Sequence, residues 1–179
     1  QVQRLRQMVD RLLELSKLES LQAPEQVQAQ PLPALLQREL DAVAPLLAQR
    51  GLAVQWGEAD ATPVPVDAER LAFAISNLLA NAIDFAPEGS AIELAVQRTP
   101  AGMALSVRDH GPGVPDFALP RLGERWFSTP RPRDGAKGSG LGLAIARQVA
   151  ALHGGTLQFQ PQQPGLQVRL ALPLAPPGR

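Results

Sequence analysis

The sequence predicts an α/β fold. Three observations carry this. Long stretches repeat apolar residues at three- and four-residue spacing, the helical period. Short stretches alternate apolar and polar residues, the strand period. Glycine and proline cluster between the two kinds of stretch, where turns belong.

The elements follow in order. Residues 1 to about 20 form an amphipathic helix, with Leu5, Met8, Leu12 and Leu15 in a stripe that Val2, Val9, Leu13 and Leu18 widen. Arg4, Arg6, Asp10, Arg11, Glu14, Lys17 and Glu19 take much of the remaining surface. The helix can pack on its own domain or pair with others in a bundle, and the linker that follows favours the bundle. That linker, Gln22 to Pro31, is rich in Gln, Ala and Pro and lacks an apolar period. A second helix spans Leu32 to Gln49, with Pro45 bending it and Gly51 ending it. Leu52 to Trp56 alternates as a strand. Pro63 and Pro65 lead to Asp67, the N-cap of a third helix through Phe85.

Ala91 to Gln97 and Met103 to Asp109 form a strand pair turned at Pro100-Ala101-Gly102. Residues 114 to 137 are irregular, rich in Pro, Arg and Gly, and long enough to act as a lid. A fourth helix runs from Gly140 to His153, closed by Gly154-Gly155. Thr156 to Gln160 and Leu166 to Leu172 are the last strands, and the tail from Pro173 is expected to fray.

Composition narrows the function. The 179 residues suit one domain plus an appendage. Lys+Arg and Asp+Glu balance at 17 each, so no global field points to nucleic acid or a membrane surface. There is no cysteine and there are only two histidines, His110 and His153, which argues against thiolate chemistry and a structural zinc. No apolar run reaches membrane-spanning length, and no signal peptide is visible. The chain opens in mid-helix without an initiator Met, as a piece of a longer protein would.

Three motifs in order then point to a nucleotide. In Asn77-Leu78-Leu79-Ala80-Asn81-Ala82, the helical period places Asn77, Asn81, Asp84 and Phe85 on one face. Leu71, Ile75, Leu79 and Ala82 point the other way, toward a core. An asparagine carbonyl is a hard neutral ligand suited to magnesium, whose other ligands are waters and phosphate oxygens. In Asp109-His110-Gly111-Pro112-Gly113, a carboxylate at a strand end can accept a hydrogen bond from an adenine amine, and glycine admits backbone close to a flat base. An Asx turn explains the same residues when they stand alone. Gly138-Ser139-Gly140-Leu141-Gly142-Leu143 sits where a loop becomes a helix, so free N–H groups and the positive dipole end face whatever lies ahead. A hinge explains that turn alone. It is not a P-loop, because Gly-Lys-Ser/Thr is missing at the required spacing.

Together these motifs resemble the N, G1 and G2 boxes of the catalytic ATP-binding part of bacterial sensor histidine kinases, in the wider group of gyrase, Hsp90 and MutL. Arg125-Trp126-Phe127 resembles the F box of the intervening lid. Ile83-Asp84-Phe85 and Arg125 to Pro132 look most like the carbon-source-responsive type of these sensors. The resemblance runs from Leu32 to Pro173, and the opening helix is similar to the second helix of the dimerisation hairpin that precedes such domains.

What the resemblance implies is a two-layer α/β sandwich (the Bergerat fold), with helices on one face of a mixed sheet and one long helix before it. Residues 1–21 would be part of the hairpin, 22–31 the linker, 32–175 the catalytic domain and 176–179 a tail. The ligands would be ATP and magnesium. Asn81 would hold the metal, and Asn77 would support metal and phosphates. Asp109 would read the adenine amine, Gly111 and Gly113 would shape its pocket, and Phe85 would lie against the base. Gly138, Gly140, Leu141 and Gly142 would present backbone N–H groups to the phosphates, and Lys137 would bind beside them. The reaction would carry the γ-phosphoryl to a histidine on a hairpin helix preceding Gln1, for relay to a response regulator. Neither His110 nor His153 sits where that acceptor belongs. The partners would be the chain's own hairpin, in a homodimer, and the regulator. Nucleic acid is not expected, and a membrane enters only through segments preceding this chain, which would be the cytoplasmic domain of an inner-membrane sensor.

Two readings stand beside it. Hydrolases of the gyrase and Hsp90 type place a Glu where this chain has Asn77, which favours the kinase; a module that only senses nucleotide or dimerises is the other. One departure stands out. Asp84 occupies a position that usually carries a basic residue near the phosphates. Lys137, Arg125, Arg131 and Arg133 are the lid cations able to compensate.

Overall fold

A computed structural model describes residues 1–175. The elements are α1 (Val2–Ser20), β1 (Val27–Pro31), α2 (Leu32–Gln49), β2 (Ala53–Ala59), β3 (Pro63–Asp67), α3 (Ala68–Phe85), β4 (Ala91–Thr99), β5 (Gly102–Arg108), α4 (Gly142–Leu152), β6 (Thr156–Pro161) and β7 (Leu166–Pro173). Five strands form a mixed sheet in the order β2-β4-β5-β7-β6. β2 runs parallel to β4, and the other pairings are antiparallel.

Burial alternates strictly along β7, and along most of β4, so one face of the sheet is covered and the other is open. α2, α3 and α4 cover that face. The core between the layers includes Leu36, Leu71, Ile75, Leu79, Ile92, Leu94, Met103, Leu105, Ile145, Val149 and Leu170, each essentially without exposure. This is the two-layer α/β sandwich expected, with a helix ahead of it.

α2 and α3 form where their periodicity places them, and α2 runs through Pro45. Asp67 caps α3, its carboxylate accepting the Arg70 N–H at 3.3 Å, a contact worth about 1 kcal/mol. That carboxylate also accepts the N–H groups of Glu25 and Gln26, so one side chain ties the α1–β1 connection to the start of α3.

Three local expectations need correction. The stretch read as linker holds β1, which pairs antiparallel with β3 in a separate two-stranded sheet. Two of the five residue pairs, Ala29 with Pro65 and Pro31 with Pro63, contain proline, a residue that hides a strand from sequence reading. α4 starts at Gly142 rather than Gly140, because Gly140 has φ +72° and belongs to the turn. β7 includes Pro173, and the expected tail at 176–179 lies outside the described residues.

α1 divides its apolar surface. Leu15 and Leu18 are buried, and Leu12 and Leu21 pack beside them against the domain. Val2, Leu5, Val9 and Leu13 remain exposed. The helix therefore packs on its own domain at one end and leaves an apolar flank free at the other. No described helix is long and apolar enough to cross a membrane.

Candidate functional site

The three motifs meet in one cleft. It encloses about 970 Å³ of empty space including its open mouth, at the upper end of the range typical of small-molecule sites. Asn77, Asn81, Asp84 and Phe85 of α3 line one wall. Asp109 and Gly113, just past β5, line the floor with Leu166 of β7. Gly138, Ser139, Gly140 and Gly142 close it, with Phe127, Ser128, Thr129 and Arg131 of the lid.

Asp109 is almost fully buried, and its backbone N–H donates to the Leu166 carbonyl at 3.1 Å, which fixes it to β7. Burial raises its pKa, against the opposing effect of the Gly111 N–H, which donates to its carboxylate at 2.8 Å. The remaining carboxylate oxygen has acceptor capacity for an amine. Gly111 does not line the cleft. A Cβ there would stand 2.3 Å from the Phe85 carbonyl oxygen, so the glycine lets the loop press against the end of α3. It shapes the pocket from behind, through Asp109.

Asn77 is also buried. Its amide nitrogen donates to the Phe73 carbonyl at 2.8 Å, and its Oδ1 would be 3.0 Å from a Cβ on Gly142. It therefore fixes the approach of α3 to the first turn of α4. Asn81, one turn on and less buried, faces the cleft. The donor set suits magnesium: a neutral amide oxygen on a rigid helix beside space for phosphates.

The first turn of α4 has no side-chain cap and no acidic residue. Its N-terminus thus keeps unpaired donors where an anion fits. The side chains of Leu141 and Lys137 do not line the cleft; the part expected of Leu141 is its backbone N–H. The Leu141 side chain is fully buried, and its N–H donates to Ser139 Oγ at 3.3 Å. Lys137 lies outside, bridged to Pro130 and accepting Arg4 through its carbonyl at 2.8 Å. Lys137 is exposed beside that strand-like bridge.

The lid is folded onto the turn. The Trp126 N–H donates to the Gly140 carbonyl at 2.9 Å, and Trp126 has φ +65°, a strained value for such a residue. The Arg121 guanidinium lies 4.3 Å from the centre of the Phe127 ring. Arg131 Nε is 3.2 Å from an Asp84 carboxylate oxygen. Burial raises the Asp84 pKa, and Arg131, Arg133 and Arg50 oppose that in decreasing order.

Two functional residues escaped sequence reading. Arg11 of α1 lines the cleft and donates to Ser139 Oγ at 3.4 Å. In the sequence it is one of several charges on a helix surface. Arg50 is buried after α2 and donates to the Ile83 and Ala86 carbonyls at 3.0 and 2.7 Å. It satisfies the end of α3 beside Asp84 and Phe85. An Arg directly before a helix-ending Gly was its only signal. The histidines stand apart from the cleft: His110 meets the Ala91 carbonyl and Glu93, and His153 is buried at the end of α4.

Comparison with known proteins fits this geometry. The profile of the family described as histidine kinase-, DNA gyrase B-, and HSP90-like ATPase matches residues 66–176. Sensor protein CreC of Escherichia coli (strain K12) is 38% identical over 164 residues, 90% of this chain and 34% of the relative. The chain thus spans about a third of that relative's length. Histidine kinase AdeS of Acinetobacter baumannii has a similar structure, with TM-score 0.79 over 97% of this chain and 80% of the other, at 22% identity. The mycobacterial sensor histidine kinase MprB has TM-score 0.71 at 29% identity, over 83% of this chain and 99% of the other.

Proposed function

The chain belongs to the family of histidine kinase-, DNA gyrase B- and HSP90-like ATPases, and from that premise we propose that it is the ATP-binding catalytic part of a sensor protein-histidine kinase. One observation carries this reading: Asn81, Asp109 and the glycine turn from Gly138 to Gly142, distant in sequence, line a single cleft.

In this reading Asp109 accepts the adenine amine, and Gly113 and Phe85 bound the base. Asn81 holds magnesium, and Asn77 keeps α3 and the start of α4 in register around the phosphates. The glycine turn and the first turn of α4 offer backbone donors. Bound ATP supplies the γ-phosphoryl group, and magnesium neutralises charge on its phosphates. An incoming histidine nitrogen bonds to the γ-phosphorus as the bond to the β–γ bridging oxygen breaks, and ADP leaves with the electron pair. The chain's own work is positioning and charge stabilisation. The acceptor histidine belongs to a hairpin helix preceding Gln1, and a response regulator takes the phosphoryl group from it. The parent protein is read as a membrane sensor with this part on the cytoplasmic side.

The kinase is preferred to a hydrolase because Asn77 stands where a water-activating carboxylate is needed, and its amide is already bonded to the Phe73 carbonyl. Calorimetric titration with ATP and ADP, with and without magnesium, tests binding. Transfer of γ-label to a hairpin of the parent protein supplied in trans, lost when that hairpin's histidine is replaced, tests the reaction. Steady phosphate release by the isolated chain, abolished by Asn81→Ala, would favour the hydrolase instead.

A further inference from the structure

Asp84 poses an electrostatic problem. It stands on α3 one turn beyond Asn81, lines the cleft, and brings a negative charge toward a site that would receive phosphates. Its side chain is about one-third exposed, so solvent screens it only partly. A residue with that effect alone would weaken nucleotide binding.

The lid answers it. Arg131 Nε is 3.2 Å from the Asp84 carboxylate, and the arginine also lines the cleft. Its Nη2 is 3.9 Å from the place a Cβ on Gly138 would occupy, so the guanidinium spans from α3 to the glycine turn. The backbone holds it there. The Arg131 N–H donates to the Ala136 carbonyl at 3.0 Å, its carbonyl accepts the Gly135 N–H at 2.9 Å, and Pro130 bridges Lys137. These contacts close a small hairpin within the lid. The Nε is buried yet makes no well-directed hydrogen bond, despite its closeness to Asp84. The pair is therefore held by charge, while the directional donors of the guanidinium remain available. A planar fork of that kind suits phosphate oxygens. Arg133 adds a second lid cation in the field of Asp84.

Resting on the nucleotide reading above, we propose that Arg131 is the lid cation that binds the phosphate groups, and that Asp84 is its positioning residue. A cation that could have stood on the rigid helix is instead carried by the lid, and the acid on the helix is its dock. Phosphate affinity is thereby coupled to the position of the lid.

The sign of one substitution separates the alternatives. Were Asp84 merely a repulsive charge, Asp84→Ala would tighten ATP binding. As a dock for Arg131, its loss weakens ATP binding. The experiment titrates adenosine, ADP and ATP into the wild-type chain and into Asp84→Ala, Arg131→Ala and the double variant, with melting temperatures confirming folding. Arg131→Ala should weaken ATP binding by about tenfold and leave adenosine unchanged. Asp84→Ala should weaken ATP in the same direction by less. The double variant should be no worse than Arg131→Ala, because the two act as a unit. Exchange of the charges, Asp84→Arg with Arg131→Asp, should recover ATP affinity relative to Arg131→Ala by restoring a phosphate-facing cation. Tighter or equal ATP binding in Asp84→Ala, or unchanged ATP binding in Arg131→Ala, overturns the assignment while leaving the nucleotide site standing. A wild-type chain that binds neither adenosine nor ATP overturns both.

Discussion

His153 Nε2 accepts the backbone N–H of Asp67 at 3.0 Å, joining the end of α4 to the residue that caps α3. The other ring nitrogen, Nδ1, donates to the Val149 carbonyl at 2.8 Å. An acceptor at Nε2 and a donor at Nδ1 define the neutral ring. Burial lowers the His153 pKa below the ordinary 6.5, against opposing effects of Val149 and Asp67. The fold thus binds the proton less readily than the unfolded chain. The stability this confers is fully present above the unfolded value of 6.5 and is lost as pH falls toward the lowered folded one. Denaturant unfolding at pH 7 and at pH 5.5 should show the loss. His153→Gln should be less stable throughout but flatter across that interval. An undiminished slope in the variant would assign the effect to another group.

Ionised Asp109 is a stronger acceptor for an amine than the protonated acid. Burial raises its pKa from the ordinary 3.8, so adenosine affinity should begin to fall, as pH drops, before an ordinary carboxylate titrates. Asp109→Asn should abolish measurable binding, since it turns a charged acceptor into a group able to present a donor to the amine. Unchanged affinity in that variant removes the adenine assignment.

Gly142 and Gly140 should resist alanine for different reasons. At Gly142 the new methyl meets Asn77 Oδ1 at 3.0 Å and forces the buried amide to shift, which should weaken nucleotide binding more than stability. At Gly140 it would stand 2.5 Å from the Trp126 carbonyl carbon and require a left-handed backbone. Gly140→Ala should therefore detach the lid, at a cost of about 1–3 kcal/mol. Faster amide exchange across residues 124–131 reports the detachment. Unchanged exchange there would show that the Trp126 contact does not anchor the lid.

Arg50→Ala should cost about 2–4 kcal/mol, because two carbonyls at the end of α3 lose a charged donor. Arg50→Lys reaches only one of them well and should recover part. Thermal or urea unfolding measures both. A loss under about 0.5 kcal/mol, the scale of an ordinary surface change, would place the guanidinium in solvent.

Nucleotide should slow hydrogen exchange between Val114 and Lys137, since the lid joins the base pocket to the glycine turn. Equal protection with and without ATP counts against gating.

What the sequence determined by itself was whatever depends on near neighbours. α2, α3 and the capping of α3 by Asp67 follow from residues three or four apart. The shared face of Asn77, Asn81, Asp84 and Phe85 follows from the helical period, and all four do line the cleft. The alternation of β4 and β7 announces one covered sheet face. Tertiary structure decided what depends on distant partners. β1 is a strand because β3 offers it a ladder, and its five residues, short, mostly exposed and ending in Pro31, give too little pattern to reveal that. Which lid cation meets Asp84 depends on a hairpin closed by Pro130 and Lys137, which sets Arg131 against it. Arg11 enters the cleft because α1 packs across α4, and Arg50 is buried because α2 ends beside the carbonyls of α3. A local pattern specifies the conformation of its own segment. The partner of a charge is set by how the layers stack, and the same charges on another topology would be solvated.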